Sequence, residues 1–398
     1  MSPLLALLVL IPLAEPLAAQ KEKGRLNDPE NCPWCHGDRE LMRAAGIVSH
    51  GGFEFAAPPA TTVSVDSFFG GKDIYWIESA HFKLGLCVGV HKISPDEAKQ
   101  VRAELTELHE VLREVDPKAR VLEPFMRTHL YAYRTEKLWK RFLDLMQVEE
   151  SDFPQLGNVW MIGTPYYGEG PYLGMMSKFE VLVLPTASDQ VPFLKKQYGL
   201  TIPRTQRWHD LTRGSLIVVT NLAENELNED QKIYGHLVFN LSINLLDGFK
   251  HYSYDTLCWL REGLGHFTER ELNPRFNTFD ASEGSLGEKS YKEDWDTEVK
   301  ELIAAGKAPT VAEMTSLKTY AEFKKSHHYA CWSMTKFMVT TNPQGYGCLN
   351  DKLHGRKRAD GMPDAENLLD VQRAAFNECF GMNYAQFDEA WRAWAIAQ

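Results

Sequence analysis

Apolar residues recur along the chain in two rhythms, and each rhythm predicts an element. In SPDEAKQVRAELTELHEVLREVD, Val101, Leu105, Leu108 and Leu112 fall three or four apart on one face. Ser94 stands as N-cap, with Pro95 at the first helical position and acidic residues in the first turn, so the stretch predicts an amphipathic helix. DIYWIESAHFKLGLCV alternates like a pair of strands, and FMRTHLYAYR and KFEVLVLP, rich in β-branched or aromatic residues, predict two more. RGSLIVVTN, Arg213 to Asn221, predicts a short strand that leads through an acidic connection into a helix, EDQKIYGHLVFNLSINLLDG, stopped at Gly248. A second helix, YDTLCWLREGLGHFTEREL, ends before Asn273 and Pro274. After the turn-rich NPRFNTFDASEGSLGE the pattern is mainly helical to the end. Near the start, DRELMRAAG predicts a short helix stopped by Gly46, and AAPPATTVS a linker. The mixture predicts an α+β fold, without internal repeats or low-complexity segments.

Composition supports a folded chain: 398 residues, 44% hydrophobic and 24% charged, are enough for two or three packed lobes. The formal net charge of -11 argues against nucleic acid, and the densest basic run, KLHGRKRADG, sits among Gly and Asp as a solvated loop. The apolar first segment ends in small residues before a polar turn, which predicts a signal peptide over residues 1–19 and an exported protein, periplasmic or extracellular. Pro12, Glu15 and Pro16 leave too short an apolar run to span a bilayer, and no later stretch qualifies. Export places the seven cysteines where pairing is permitted.

The segment 20–73 carries CPWCH, Cys32 to His36, which has the form of a c-type haem attachment site: two thiols for the haem vinyl groups and an imidazole for the iron. Met42 or His50, or a residue of the main body, would supply the second axial ligand. Only about twenty residues separate His36 from the linker, few for enclosing a haem. Two other readings stay open: a Cys32–Cys35 disulfide, or zinc held by Cys32, Cys35, His36 and His50. The pairing of Cys87, Cys258, Cys331, Cys348 and Cys379 is not readable from spacing.

His236 and Glu262, on the two consecutive helices, together with the strand before them and the closing AFNECFG and FDEAWRAW stretches, resemble the peptidase MA-like (gluzincin) superfamily, in particular its exported bacterial branch. The resemblance implies a zincin-like fold: a mixed sheet with an edge strand, two active-site-type helices within a lobe over 74–272, and a helical C-terminal lobe over 273–398. In that superfamily two histidines one turn apart and a downstream glutamate bind zinc, and the glutamate after the first histidine deprotonates the metal-bound water. His236 matches the first ligand and Glu262 the third. Asn240 stands in place of the second histidine and Leu237 in place of the base, and losing a general base costs about a hundred- to ten-thousand-fold in rate.

The resemblance therefore implies an inactive frame that binds rather than cleaves, with an extended peptide or a cell-envelope ligand laid along the edge strand RGSLIVVT. A zinc hydrolase with an altered site is the alternative. His266, four residues after Glu262, would join it and His236 in a His, Glu, His set, with Glu269 or Tyr329 as weak catalytic candidates. A haem c protein built on Cys32, Cys35 and His36 is the third reading. Gly263 and Gly265, inside a helix, predict close packing against a neighbouring helix. His327 and His328 read as a pair on a helix surface.

Overall fold

The structure, a computed structural model, describes residues 28–155, 165–224, 227, 229–252, 257–279, 293–364 and 366–398. The expected signal peptide lies outside the described residues. In chain order the strands are β1 (Ile47–Ser49), β2 (Tyr75–Ser79), β3 (Phe82–Leu86), β4 (His91–Lys92), β5 (Val121–Leu122), β6 (Phe179–Leu184), β7 (Gln206–Asp210) and β8 (Ser215–Asn221). The helices of the first half are α1 (Arg39–Ala44), α2 (Thr62–Phe69), α3 (Ala98–Val111), α4 (Pro124–Met146) and α5 (Ala187–Tyr198). Those of the second half are α6 (Asp230–Gly248), α7 (Cys258–Leu272), α8 (Trp295–Ala304), α9 (Val311–Ser316), α10 (Lys325–Thr341), α11 (Pro343–Leu353), α12 (Leu368–Phe380) and α13 (Tyr384–Ala397).

The fold is α+β around a mixed six-stranded sheet, ordered β1-β2-β3-β6-β8-β7. Strands β3, β6 and β8 run parallel, and the outer pairs are antiparallel. Alternate residues of the central strands enter two separate cores. Val181, Val183, Leu216 and Val218 face the core shared with α4 and α6, whereas Leu182, Leu184, Ile217 and Val219 face Trp76, Phe193 and Leu194. A strand covered on both faces has no polar alternation to show. For the same reason the stretch expected at the sheet edge, β8, is an interior strand with every residue buried, and the edge is β7.

FMRTHLYAYR is not a strand but the first half of α4. Pro124 at its first position is a helix start, and Arg127, Leu130, Arg134, Leu138, Phe142 and Leu145 continue a buried stripe at helical spacing over its length. Helix α3 starts at Ala98 with Glu97 as cap, later than the expected Ser94, because residues 94–97 form a turn in which the Ser94 carbonyl accepts from the Ala98 N–H at 3.0 Å.

The expected linker is packed rather than free. The Ala56 N–H donates to buried Glu180 at 2.8 Å and Arg213 Nε to the Ala56 carbonyl at 2.7 Å, while Thr61 caps α2. With β1 paired to β2, the N-terminal segment belongs to the sheet layer.

Helix α6 is buried on all sides from Ile233 to Gly248 and lies against α4, α7 and β8. The α7 helix is held between α6 and α10, and the two glycines are the reason. A methyl group on Gly265 would meet the Phe239 ring at 2.8 Å, and one on Gly263 would meet the Cys331 carbonyl oxygen at 2.9 Å. In the C-terminal part a Cys348–Cys379 disulfide joins α11 to α12. Among the described residues no helix is long and apolar enough to cross a membrane.

Candidate functional site

The first turn of α6 is fixed by a buried ion network. Arg127 and Arg134 of α4 donate to the two Asp230 oxygens at 2.8 and 2.7 Å, Tyr131 donates to the same carboxylate at 3.0 Å, and Arg134 also reaches Glu104 at 2.8 Å. Burial by itself would raise the Asp230 carboxyl, but the two guanidinium groups outweigh it and hold the group well below the usual carboxylate range.

Two turns into α6, His236 Nε2 lies 2.8 Å from the Thr205 hydroxyl and 3.2 Å from that of Thr220. Burial, with the Arg207 charge nearby, lowers its pKa to about 3, so the imidazole is neutral. Asn240 accepts from Arg207 at 2.7 Å and donates to the His236 carbonyl at 2.8 Å. Leu237 is 2% exposed and belongs to the main core. The His236 end of the helix lines a cavity of about 510 Å³ with Leu227, Lys232, Asn273, Phe276 and Thr278.

Glu262 and His266 come together, but with His328 of α10 rather than with His236. Their ligand atoms all lie within 4.8 Å of one another. Glu262 Oε2 is 3.4 Å from His266 Nε2 and 3.7 Å from His328 Nδ1, and the two imidazoles approach to 3.1 Å. Glu269 holds the other side of His266, Oε1 to Nδ1 at 3.0 Å, and accepts the Thr278 N–H at 3.0 Å. Burial pushes Glu269 well above the carboxylate range, His266 well below the imidazole range and His328 to about 3. A fully buried Glu/His/His set with neutral imidazoles, one of them oriented by a further carboxyl, can hold a divalent metal.

His327 and His328 are not a surface pair. Both are buried, because the stripe Cys331, Met334, Thr335 and Met338 turns the same face of α10 inward, and His327 folds back toward Glu313 at 3.4 Å. Tyr329 is buried with its ring centroid 4.9 Å from that of Trp295.

The second group lies at the N-terminal segment: Cys32, Cys35, His50 and His129, all buried, with ligand atoms within 4.8 Å of one another. Cys32 Sγ is 3.3 Å from His129 Nε2 and Cys35 Sγ 3.4 Å from His50 Nε2. Backbone N–H groups of Trp34 and Cys35 donate to Cys32 Sγ at 3.4 and 3.3 Å. The hydrogen bond from Cys35, together with His129, holds the Cys32 thiol below the ordinary range despite burial, and Cys35 is pushed up in return by that same partner and by burial. His50 is lowered to about 4 by burial.

Both cysteines are free thiols, so the expected Cys32–Cys35 disulfide is not formed. His36, expected as the third member, turns away: its left-handed backbone carries it to the surface, where it is 49% exposed and pairs with Glu114 at 2.8 Å. Met42 is buried in the core beside the cluster but is not among its ligand groups. His129, 97 residues from Cys32, was hidden in the stretch read as a strand; read as a helix, it is the position one turn after Phe125, facing Trp34.

No model of a known protein family matches the chain, and no curated protein matches it.

Proposed function

We propose that the protein is an exported binding protein on a gluzincin-like frame, without peptidase chemistry. The observation that supports this most is the state of the motif helix. Where a peptidase has its base, Leu237 is packed in the core, and where it has its second imidazole, Asn240 is bonded to the Arg207 guanidinium. A cation fixed beside His236 and Asn240 opposes a divalent metal there, since like charges at such range cost several kcal/mol even at an intermediate dielectric of about 20. The Cys348–Cys379 disulfide supports an oxidising compartment. The ligand we favour is an extended peptide of the cell envelope, laid along the outer edge of β7 toward the cavity at His236.

Purified protein loaded with zinc is expected to leave casein and unstructured peptides intact. Cleavage that is abolished by a chelator and by Glu262→Gln would overturn the proposal.

The gathering of Glu262, His266 and His328 favours a second reading, an altered zinc centre. All three side chains are 0% exposed, so a metal held there would have no coordination position facing a substrate in this conformation, and a structural role fits it better than hydrolysis. The haem reading has less support, since Cys32 faces His129 and Cys35 faces His50 inside the core while His36 faces solvent.

A further inference from the structure

We propose that Cys32, Cys35, His50 and His129 form a tetrahedral zinc site that fastens the N-terminal segment to α4. Zinc–sulfur bonds of about 2.3 Å and zinc–nitrogen bonds of about 2.0–2.1 Å at tetrahedral angles require ligand atoms roughly 3.3–3.8 Å apart. The two sulfur-to-nitrogen separations, 3.3 and 3.4 Å, lie at the lower end of that range, within about 0.3 Å of a sulfur–nitrogen edge.

The surroundings suit the same ion. The two donations from Trp34 and Cys35 to Cys32 Sγ stabilise a thiolate, and His36 and Gly37, both with left-handed backbone, turn the chain away directly after the second cysteine. His129 donates Nδ1–H to the Phe125 carbonyl at 3.0 Å, which leaves its Nε2 lone pair directed at Cys32. Trp34 meets the His129 ring edge-on and Phe125 lies tilted against both imidazoles, so the buried cluster is walled by aromatic rings. Two thiolates and two neutral imidazoles select zinc over magnesium or calcium, and a closed four-ligand set marks a structural ion. Binding would displace to solvent whatever proton the thiols still hold and keep the cysteines from oxidising to each other.

The ligands come from a turn, the end of β1 and a helix whose other residues hold Asp230 of the motif helix. The ion would therefore join a segment with little core of its own to the element that positions α6.

Cobalt substitution tests this independently of the Glu262 cluster, which contains no sulfur. Full-length protein purified under reducing conditions and loaded with cobalt is expected to show the intense visible bands of a tetrahedral centre and a near-ultraviolet thiolate charge-transfer band. His36→Ala is expected to leave both unchanged. His129→Cys, which keeps four ligands, is expected to raise the charge-transfer intensity about 1.5-fold, as two thiolates become three. Cobalt bound without a thiolate band would overturn the proposal, as would loss of the spectrum in His36→Ala. Recovery of Cys32 and Cys35 as a disulfide from protein exported under zinc-replete growth would also overturn it.

Discussion

Gly263 and Gly265 occupy places where a single methyl group does not fit, and that fact sets the distances at the Glu262 cluster. The obstruction at Gly263 is the Thr335 hydroxyl and, beside it, the Cys331 backbone oxygen at 2.9 Å, both on the same helix as His328, so turning a side chain cannot relieve all of it. Gly263→Ala is expected to push α10 from α7, to destabilise the protein by about 1–3 kcal/mol through overpacking, and to weaken any metal bound by Glu262, His266 and His328. Denaturation midpoints and metal titration would check both effects together. A fully stable variant would mean that the helices have room the structure does not show. This close approach was legible in the sequence, because two glycines inside a helix require a neighbour. The partner was not: Glu262 was matched to His236 by resemblance, whereas the residue delivered to it is His328, from a helix more than sixty positions away.

At the scale of elements, α4 is the piece that sequence pattern misread and the piece that joins the sites. Its aromatic and β-branched opening imitates a strand, and only Pro124 and the later three-and-four spacing reveal a helix. With the element misread, His129 could not be placed opposite Cys32, although the CxxC half of that cluster was plain. One face of α4 holds His129, and another holds Arg127, Tyr131 and Arg134 against Asp230.

Removing the acidic partner tests this anchor. Asp230→Ala leaves two buried guanidinium groups facing each other and is expected to cost about 3–5 kcal/mol, read as a lower urea midpoint at unchanged slope. The wild-type pair should also have a pH signature. Asp230 titrates lower folded than unfolded, so its contribution is complete above about pH 4 and is lost as the pH falls further. The variant should lack that acid-side loss.

Across the whole molecule, buried imidazoles set the response to acid. Outside the two metal-competent clusters, burial lowers His236 to about 3 and His251 and His354 to about 4. Each takes up its proton in the unfolded chain near pH 6.5 but not yet in the folded one, so acid favours unfolding, by up to about 1.4 kcal/mol per pH unit per histidine. Glu180 acts in the opposite sense. Burial raises it to about 7, so the folded state holds its proton through the interval in which the unfolded chain has released it, and its contribution fades as the pH rises through 7.

From pH 6.5 to about 5 these three histidines, with His209 and His327 lowered in the same sense by burial, outweigh the one carboxyl, and stability should fall by about 3 kcal/mol per pH unit or more. Below about 4.5 the unfolded carboxyl is protonated too and the compensation ends, but His251 and His354 then begin to take up protons in the folded chain as well, so the two changes offset and the fall does not steepen. Urea midpoints measured from pH 8 to 5 would give this slope. Glu180→Gln, which keeps an acceptor for the Ala56 N–H, removes the opposing carboxyl and should steepen the fall between pH 6.5 and 5 by about 1.4 kcal/mol per pH unit. An unchanged slope in the variant would mean that Glu180 is ionised in the folded protein, held by Arg213 4.0 Å away, and that the packed N-terminal segment rests on an ion pair instead of a neutral carboxyl.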